Sequence, residues 1–315
     1  MIENENTLQT PQAPTKKKLN EREIKRTIFI VGMLALPIIQ FLVFFVYVNF
    51  DTIVMTFQLR TLDGVQWSFI NYRTLLHKFT DPEMLCAIRN SLFLGLNDLL
   101  LLLISVVFAY FFYKKVRGAT FYRIIFFLPS IISIVIFVMV FKYMFDARMG
   151  IVNKILEWFG NDDPPSWLTK TSPWLLPLIM GYCLWVGTGY NILIMGGAMG
   201  NLPEDVMEYS RLEGLNYPTE LFLVVIPMIW PTISVGILSS VTTVFTLFLQ
   251  VELMTENGGT FYQATTIAFM INNVVKGGVD LEWAATLGIG FTVLAIPVII
   301  VVRKVLDKVN DYFGV

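Results

Sequence analysis

The chain has 315 residues, a formal net charge of −1, 55% hydrophobic and only 15% charged residues, 26 phenylalanines and a mean hydropathy of +0.64. A water-soluble protein of that length could not hide so much apolar surface, so a soluble globular class is excluded and a polytopic membrane protein is expected.

The first 27 residues form a polar tail that turns basic at Lys16, Lys17, Lys18, Arg22, Lys25 and Arg26. Its first fifteen residues are poor in aromatic and branched apolar side chains and are expected to be disordered. Its basic part reads as a topology signal and headgroup contact rather than a nucleic-acid patch, so no nucleic-acid partner is expected.

Apolar runs then occupy 28–50, 91–113, 124–141, 174–195, 221–249 and 283–302. Each is long enough, at about 1.5 Å per residue, to cross a hydrocarbon core of about 30 Å. Residues 28–302 therefore read as one domain of six transmembrane helices, an all-α membrane protein. The first run follows a charged tail and is too long for a signal peptide, so it is expected to stay as an anchor. Lys and Arg crowd the flank before the first run, the link between the second and third (Lys114, Lys115, Arg117, Arg123) and the residues after the sixth (Arg303, Lys304, Lys308), while the longer opposite loops carry them at lower density. Both termini, including the tail 303–315, are then expected in the cytoplasm.

Within the apolar runs, polar side chains should face the bundle interior or a cavity, because facing lipid is costly. Gly187, Tyr190 and Asn191 share a face of the fourth run, and Ser239, Ser240, Thr242, Thr243, Thr246 and Gln250 make a hydroxyl-rich stripe on the fifth. Hydroxyls, an amide and an aromatic ring suit a sugar, which makes Gly187, Tyr190, Asn191, Ser240 and Thr243 candidates for a substrate path. The competing reading is close helix packing by small residues. Asp98, beside Asn97, is the one acid well inside an apolar run, at a cost of about 2.5–3.5 kcal/mol at a helix centre. It reads as structural or as part of the path. Pro129, Pro177, Pro231 and Pro297 should mark kinks.

The link between the fourth and fifth runs, PEDVMEYSRLEGLNYPTELFLVVIP from Pro203 to Pro227, carries five acids and one base. Pro203, Glu204 and Asp205 are a helix start and Gly214 a helix stop, so a short amphipathic helix ending in a turn is expected over this cytoplasmic loop, residues 203–220. Several chemistries are missing from the sequence. No Gly-rich phosphate loop ending in Lys-Ser/Thr occurs, the Lys170-Thr171 pair having no glycine lead-in, so the chain is not expected to hydrolyse ATP itself. One histidine, His77, and two distant cysteines, Cys86 and Cys183, have no metal-ligand spacing, so neither a catalytic residue nor a metal site is expected.

The Pro203–Pro227 segment resembles the EAA loop of permease subunits from binding-protein-dependent ABC importers: Glu208, Tyr209, Ser210, Gly214, Val224, Ile226 and Pro227 fall in the family's slots, with Glu213 ahead of the glycine and Tyr209 where alanine is usual. VNFDTIVMTF and FINYRTLL at the outer end of the first run and in its loop, AIRNSL before the second, RGATFYRIIFFLP, GIVN at 150–153 and the turn from Thr255 to Gly259 resemble the sugar-type branch, the last without the usual proline. The order of the pieces matches the first of two dissimilar permease subunits. The resemblance implies a type I ABC importer permease fold in a bacterial cell (inner) membrane. It implies a coupling helix, with Pro203, Glu208, Ser210, Glu213, Gly214 and Pro227 engaging a cytoplasmic ATPase. It further implies two copies of that ATPase, which would hold ATP and magnesium, a second permease subunit, an external solute-binding protein and a carbohydrate substrate; no cofactor is implied on this chain. The alternative from the residues alone is an ion-coupled secondary transporter, which should show an inverted repeat or several membrane acids, whereas only Asp98 is found.

Overall fold

The computed structural model describes residues 21–61, 64–160, 165–169, 171–255, 258–259 and 263–314. The stretch expected to be disordered, Lys170 and part of the turn 255–259 lie outside them. The chain divides into two units that meet between Val54 and Met55.

The described part of the first unit is one apolar helix, α1 (Glu21–Phe41), running through a π-helical turn (Leu42–Tyr47) into α2 (Val48–Thr56), whose last two residues already belong to the second unit. It starts before the predicted span, so Arg22, Lys25 and Arg26 are already helical. The widened turn follows Pro37, whose missing N–H breaks the regular bonding of the preceding turn.

The second unit opens with a two-stranded antiparallel ribbon, β1 (Gln58–Thr61) and β2 (Gly64–Trp67), Gln58 facing Trp67. It is the one departure from an all-α chain among the described residues. Asn71 of α3 (Ile70–Lys78) braces it, its amide donating to the Thr56 and Gln58 carbonyls at 3.3 and 2.8 Å. The helix α4 (Pro82–Tyr113) has 32 residues and is the hub of the unit. It is followed by α5 (Ala119–Ile131), α6 (Ile134–Met144), α7 (Ile151–Trp158), α8 (Leu175–Gly200), α9 (Glu204–Leu212) and α10 (Tyr217–Glu220). A second π turn (Leu221–Val225) leads to α11 (Ile226–Met228) and α12 (Trp230–Thr246), and α13 (Leu249–Met254), α14 (Ile267–Gly277) and α15 (Leu281–Phe313) complete the chain.

Four helices among the described residues are long and apolar enough to cross a membrane, and up to six passages result if each of two bent pairs counts as one. Both bends fall beside prolines expected to mark kinks, Pro129 and Pro231. The third run breaks by 103° between α5 and α6, where Ile132 and Ser133 are extended just after Pro129, which cannot donate to the helix ladder. The fifth bends by 80° at Ile229, between Pro227 and Pro231. Two other prolines behave differently from expectation. Pro177 lies in the first turn of α8, where its N–H would have had no helical partner, and α15 runs unbroken through Pro297.

Three apolar clusters among the described residues hold the unit. One gathers α4, α8, α9 and the 221–233 segment around Tyr110, Met195, Met199, Met207 and Val225. A second packs α6, the start of α8 and α13 around Phe141, Ile179, Tyr182 and Met254, and a third joins α3, α4, α14 and α15 around Leu75, Ala87 and Leu287. At the α5–α8 crossing, a Cβ on Gly189 would stand 1.9 Å from the Phe126 carbonyl oxygen, so only glycine permits this approach. The last residues are not a loose tail: α15 extends to Phe313, Leu306 is buried, and the Trp230 indole donates to the Leu306 carbonyl at 3.4 Å.

Candidate functional site

The loop between α8 and α12 is built as the sequence pattern dictates. Pro203 caps α9, and Glu204 and Asp205 occupy its first turn, where the helix dipole favours acids. Met207 and Ser210, one turn apart, are buried against the bundle, and the Ser210 hydroxyl donates to the Met207 carbonyl at 2.8 Å. The opposite face carries Glu208, Tyr209, Arg211 and Leu212, all exposed, Leu212 at 82%. Gly214 then adopts φ +73°, the left-handed region that glycine enters without strain. Its N–H donates to the Arg211 carbonyl at 3.0 Å and that of Leu215 to the Ser210 carbonyl at 3.2 Å, the two bonds of a Schellman closure. Asn216 immediately starts the next helix, its side-chain oxygen accepting from the Thr219 N–H at 3.0 Å. Pro203, Glu208, Ser210, Glu213 and Gly214 are thus brought together in one unit. Pro227 stands apart, at the start of α11.

Between this helix and the end of α4 lies a cavity of about 350 Å³, lined by Tyr113, Lys114, Lys115, Glu204, Glu208 and Arg211. Its walls alternate ammonium, guanidinium and carboxylate groups, so it is a polar recess beside an exposed face that combines Tyr209 and Leu212 with charges.

The candidate path residues are less unified. Asn191 donates back to the Gly187 carbonyl of its own helix at 3.1 Å, and Tyr190 projects outward, 58% exposed. Gly187 faces α4, where an added Cβ would meet a methyl of Leu101 at 2.4 Å. The hydroxyl stripe splits into two faces: Ser239, Thr242 and Thr246 are exposed, whereas Ser240 is buried and Thr243 half-buried. Gln250 is not part of it, since Leu247 is extended and Gln250 belongs to α13. Ser240 donates to the Gly236 carbonyl at 3.1 Å, while Thr243 reaches across to Asp98.

The polar anchors of α4 were not singled out by sequence reasoning. Asn90 donates to the carbonyls of Gln263 and Thr265 at 3.1 and 3.0 Å, and the Ser91 hydroxyl accepts the Ile267 N–H at 3.0 Å. Both lie in the AIRNSL segment, whose pattern was a signal without a visible reason: they satisfy the backbone of an irregular stretch before α14. Asn97 likewise donates to the Met180 carbonyl at 3.1 Å.

At the far end of α8 from α9, Leu175 borders a cavity of about 620 Å³, with Lys142, Tyr143, Asp146, Trp167 and Thr255 in its wall. The Trp167 indole is fixed by its bond to Asn153 at 2.5 Å. The backbone N–H groups of Met149 and Arg148 both donate to the Asp146 carboxylate and hold its pKa below the ordinary value. His77 is exposed in the last turn of α3, and both cysteines are free. Among the described residues no group of three or more His, Cys, Asp or Glu could hold a metal ion.

Residues 101–311 match the family described as binding-protein-dependent transport system inner membrane component. The chain is 30% identical over 260 residues to the osmoprotective compounds uptake permease protein GgtC of Synechocystis, covering 78% of this chain and 88% of that one. It is 26% identical to the alpha-glucoside transport system permease protein AglF of Rhizobium meliloti, a match that spans about half of each protein (55% of this chain, 52% of AglF). A solved chain of a bacterial ABC transporter involved in the import of the acidic polysaccharide alginate shares the fold, with a TM-score of 0.78, 23% identity, and coverage of 91% of this chain and 98% of that one.

Proposed function

The chain belongs to the family of binding-protein-dependent transport system inner membrane components, and we propose that it is a membrane-spanning subunit of an ATP-driven carbohydrate importer in a bacterial inner membrane. The observation that carries the proposal is α9. Its inner face is locked into the bundle by Met207 and Ser210, its end is closed by Gly214, and its outer face presents Glu208, Tyr209, Arg211 and Leu212 to a partner. A helix fixed on one side and bare on the other can pass a push from a cytoplasmic ATPase into the bundle.

In this reading the chain crosses the membrane six times with both termini in the cytoplasm, the two bent pairs each making one passage. It forms half of the path, with a second permease subunit supplying the rest. Two ATPase copies bind ATP and magnesium, and a solute-binding protein delivers the sugar from outside. Carbohydrate is the solute class favoured by relatives named for alpha-glucosides, lactose, diacetylchitobiose and arabinooligosaccharides. The chain carries no ATP site of its own.

Affinity purification of the tagged chain from its native membrane in mild detergent tests the reading. One other permease and a Walker-motif ATPase at two copies should co-elute. A chain that elutes alone and transports without ATP would overturn it in favour of an ion-coupled carrier.

A further inference from the structure

Lys114 closes α4, and Glu220 ends α10, five residues after Leu215 completes the closure of α9. The two side chains form an ion pair, with side-chain exposures of only 8% and 3%. That burial separates the pair from ordinary surface pairs, which solvent screens to little effect. The Lys114 ammonium lies over the rings of Tyr110 and Tyr217, 5.6 and 5.8 Å from their centres. Tyr110 is itself 1% exposed, with its hydroxyl beside the Glu220 carboxylate. The cation is therefore held by one carboxylate and two aromatic faces, one on α4 and one on α10.

We infer that the Lys114–Glu220 pair is the joint through which movement of α9 reaches α4; this rests on the importer reading above. Only Glu213, Gly214, Leu215 and Asn216 separate α9 from α10, and the Schellman bonds together with the Asn216 cap leave that link little freedom. A displacement of α9 consequently displaces Glu220. At the other side of the pair, Lys114 ends the helix that packs on α8, α12 and α14, so a pull on it acts on the hub of the unit. Met207 and Leu221 also pack against the α4 cluster, but apolar contacts slide. A buried ion pair resists sliding, because separating the charges would leave each unpaired away from water. Apolar residues of similar volume would hold the segments together at least as well, which makes the directional contact the distinguishing property of the pair. Glu220 and Lys114 are positioning residues that touch neither nucleotide nor solute.

The test uses the complex reconstituted in proteoliposomes with its second permease, ATPase and solute-binding protein. Labelled lactose, maltose and diacetylchitobiose are offered in turn, and uptake is measured per ATP hydrolysed. Glu220→Gln and Lys114→Met should each lower uptake per ATP by about tenfold, equivalent to about 1.4 kcal/mol of lost coupling, while the ATPase still co-purifies. The exchange Lys114→Glu with Glu220→Lys should restore a substantial part of the ratio, and the apolar pair Lys114→Met with Glu220→Leu should assemble without restoring it. Unchanged coupling in the single variants, or full recovery in the apolar pair, would overturn the joint and reduce the contact to packing. Should the single variants fail to assemble, the apolar pair alone decides by the same criterion. A wild-type complex that moves no sugar on ATP fails the importer reading and the joint with it; one that transports but ignores the variants fails the joint alone.

Discussion

The hydroxyl of Thr243 donates to the Asp98 carboxylate at 3.4 Å, joining α12 to α4 where Gly95 brings their backbones close. The acid that the sequence left between a structural and a path role therefore faces the bundle and has a partner on it. Thr243 also donates to the Ser239 carbonyl at 3.2 Å, so its hydroxyl is shared between its own helix and the neighbouring one. Asp98→Asn keeps an acceptor for Thr243 and should leave the thermal midpoint of the detergent-solubilised protein near wild type. Asp98→Leu should lower it, and a double-mutant cycle with Thr243→Val should show a coupling of about 0.5–1.5 kcal/mol. Strict additivity would mean the bond carries no stability.

Gly214 has open space around the position of a Cβ, so its substitution is costly through backbone conformation rather than collision. An ordinary residue held there is strained by about 1–2 kcal/mol. Gly214→Trp is expected to insert and assemble but to lose ATP-driven uptake, whereas Gly214→Asn, which tolerates the left-handed region, should retain most of it. Normal transport by the tryptophan variant would show that the closure of α9 does not matter for coupling.

Gly189 makes the opposite prediction. Any side chain there meets the Phe126 backbone, which cannot step aside as a flexible side chain could. Gly189→Leu should force α5 and α8 apart at a cost of about 1–3 kcal/mol or more, seen as a lower thermal midpoint and poor recovery after solubilisation. Gly181, with nothing near its Cβ position, is the matched control and should accept alanine with little loss.

Asn90 satisfies two carbonyls of the stretch before α14. Asn90→Leu removes both bonds at nearly constant volume and should cost about 1–3 kcal/mol, with faster amide exchange confined to the peptides covering 263–270. Uniformly faster exchange would point instead to a global loss of packing.

Much of the candidate site was legible in advance because α9 is governed by local chemistry. A proline start, acids in the first turn and a glycine stop act within one or two helical turns, and each does in the structure what its residue type requires. The bends were less legible: Pro129 and Pro231 announced interruptions, but nothing local distinguishes a kink from angles of 103° and 80°. Pro177 and Pro297, with the same side chain, break nothing.

The sequence alone determined what depends on composition and near-neighbour spacing: an apolar helical chain, its breaks at proline, and a closed amphipathic helix between two apolar runs. Tertiary structure decided which polar groups meet. Lys114 and Glu220 are 106 positions apart, Asp98 and Thr243 are 145 apart, and Asn90 and Thr265 are 175 apart. No periodicity links such residues. A hydroxyl, amide or ammonium in an apolar chain has to find a partner, and which one it finds is fixed only when the helices cross.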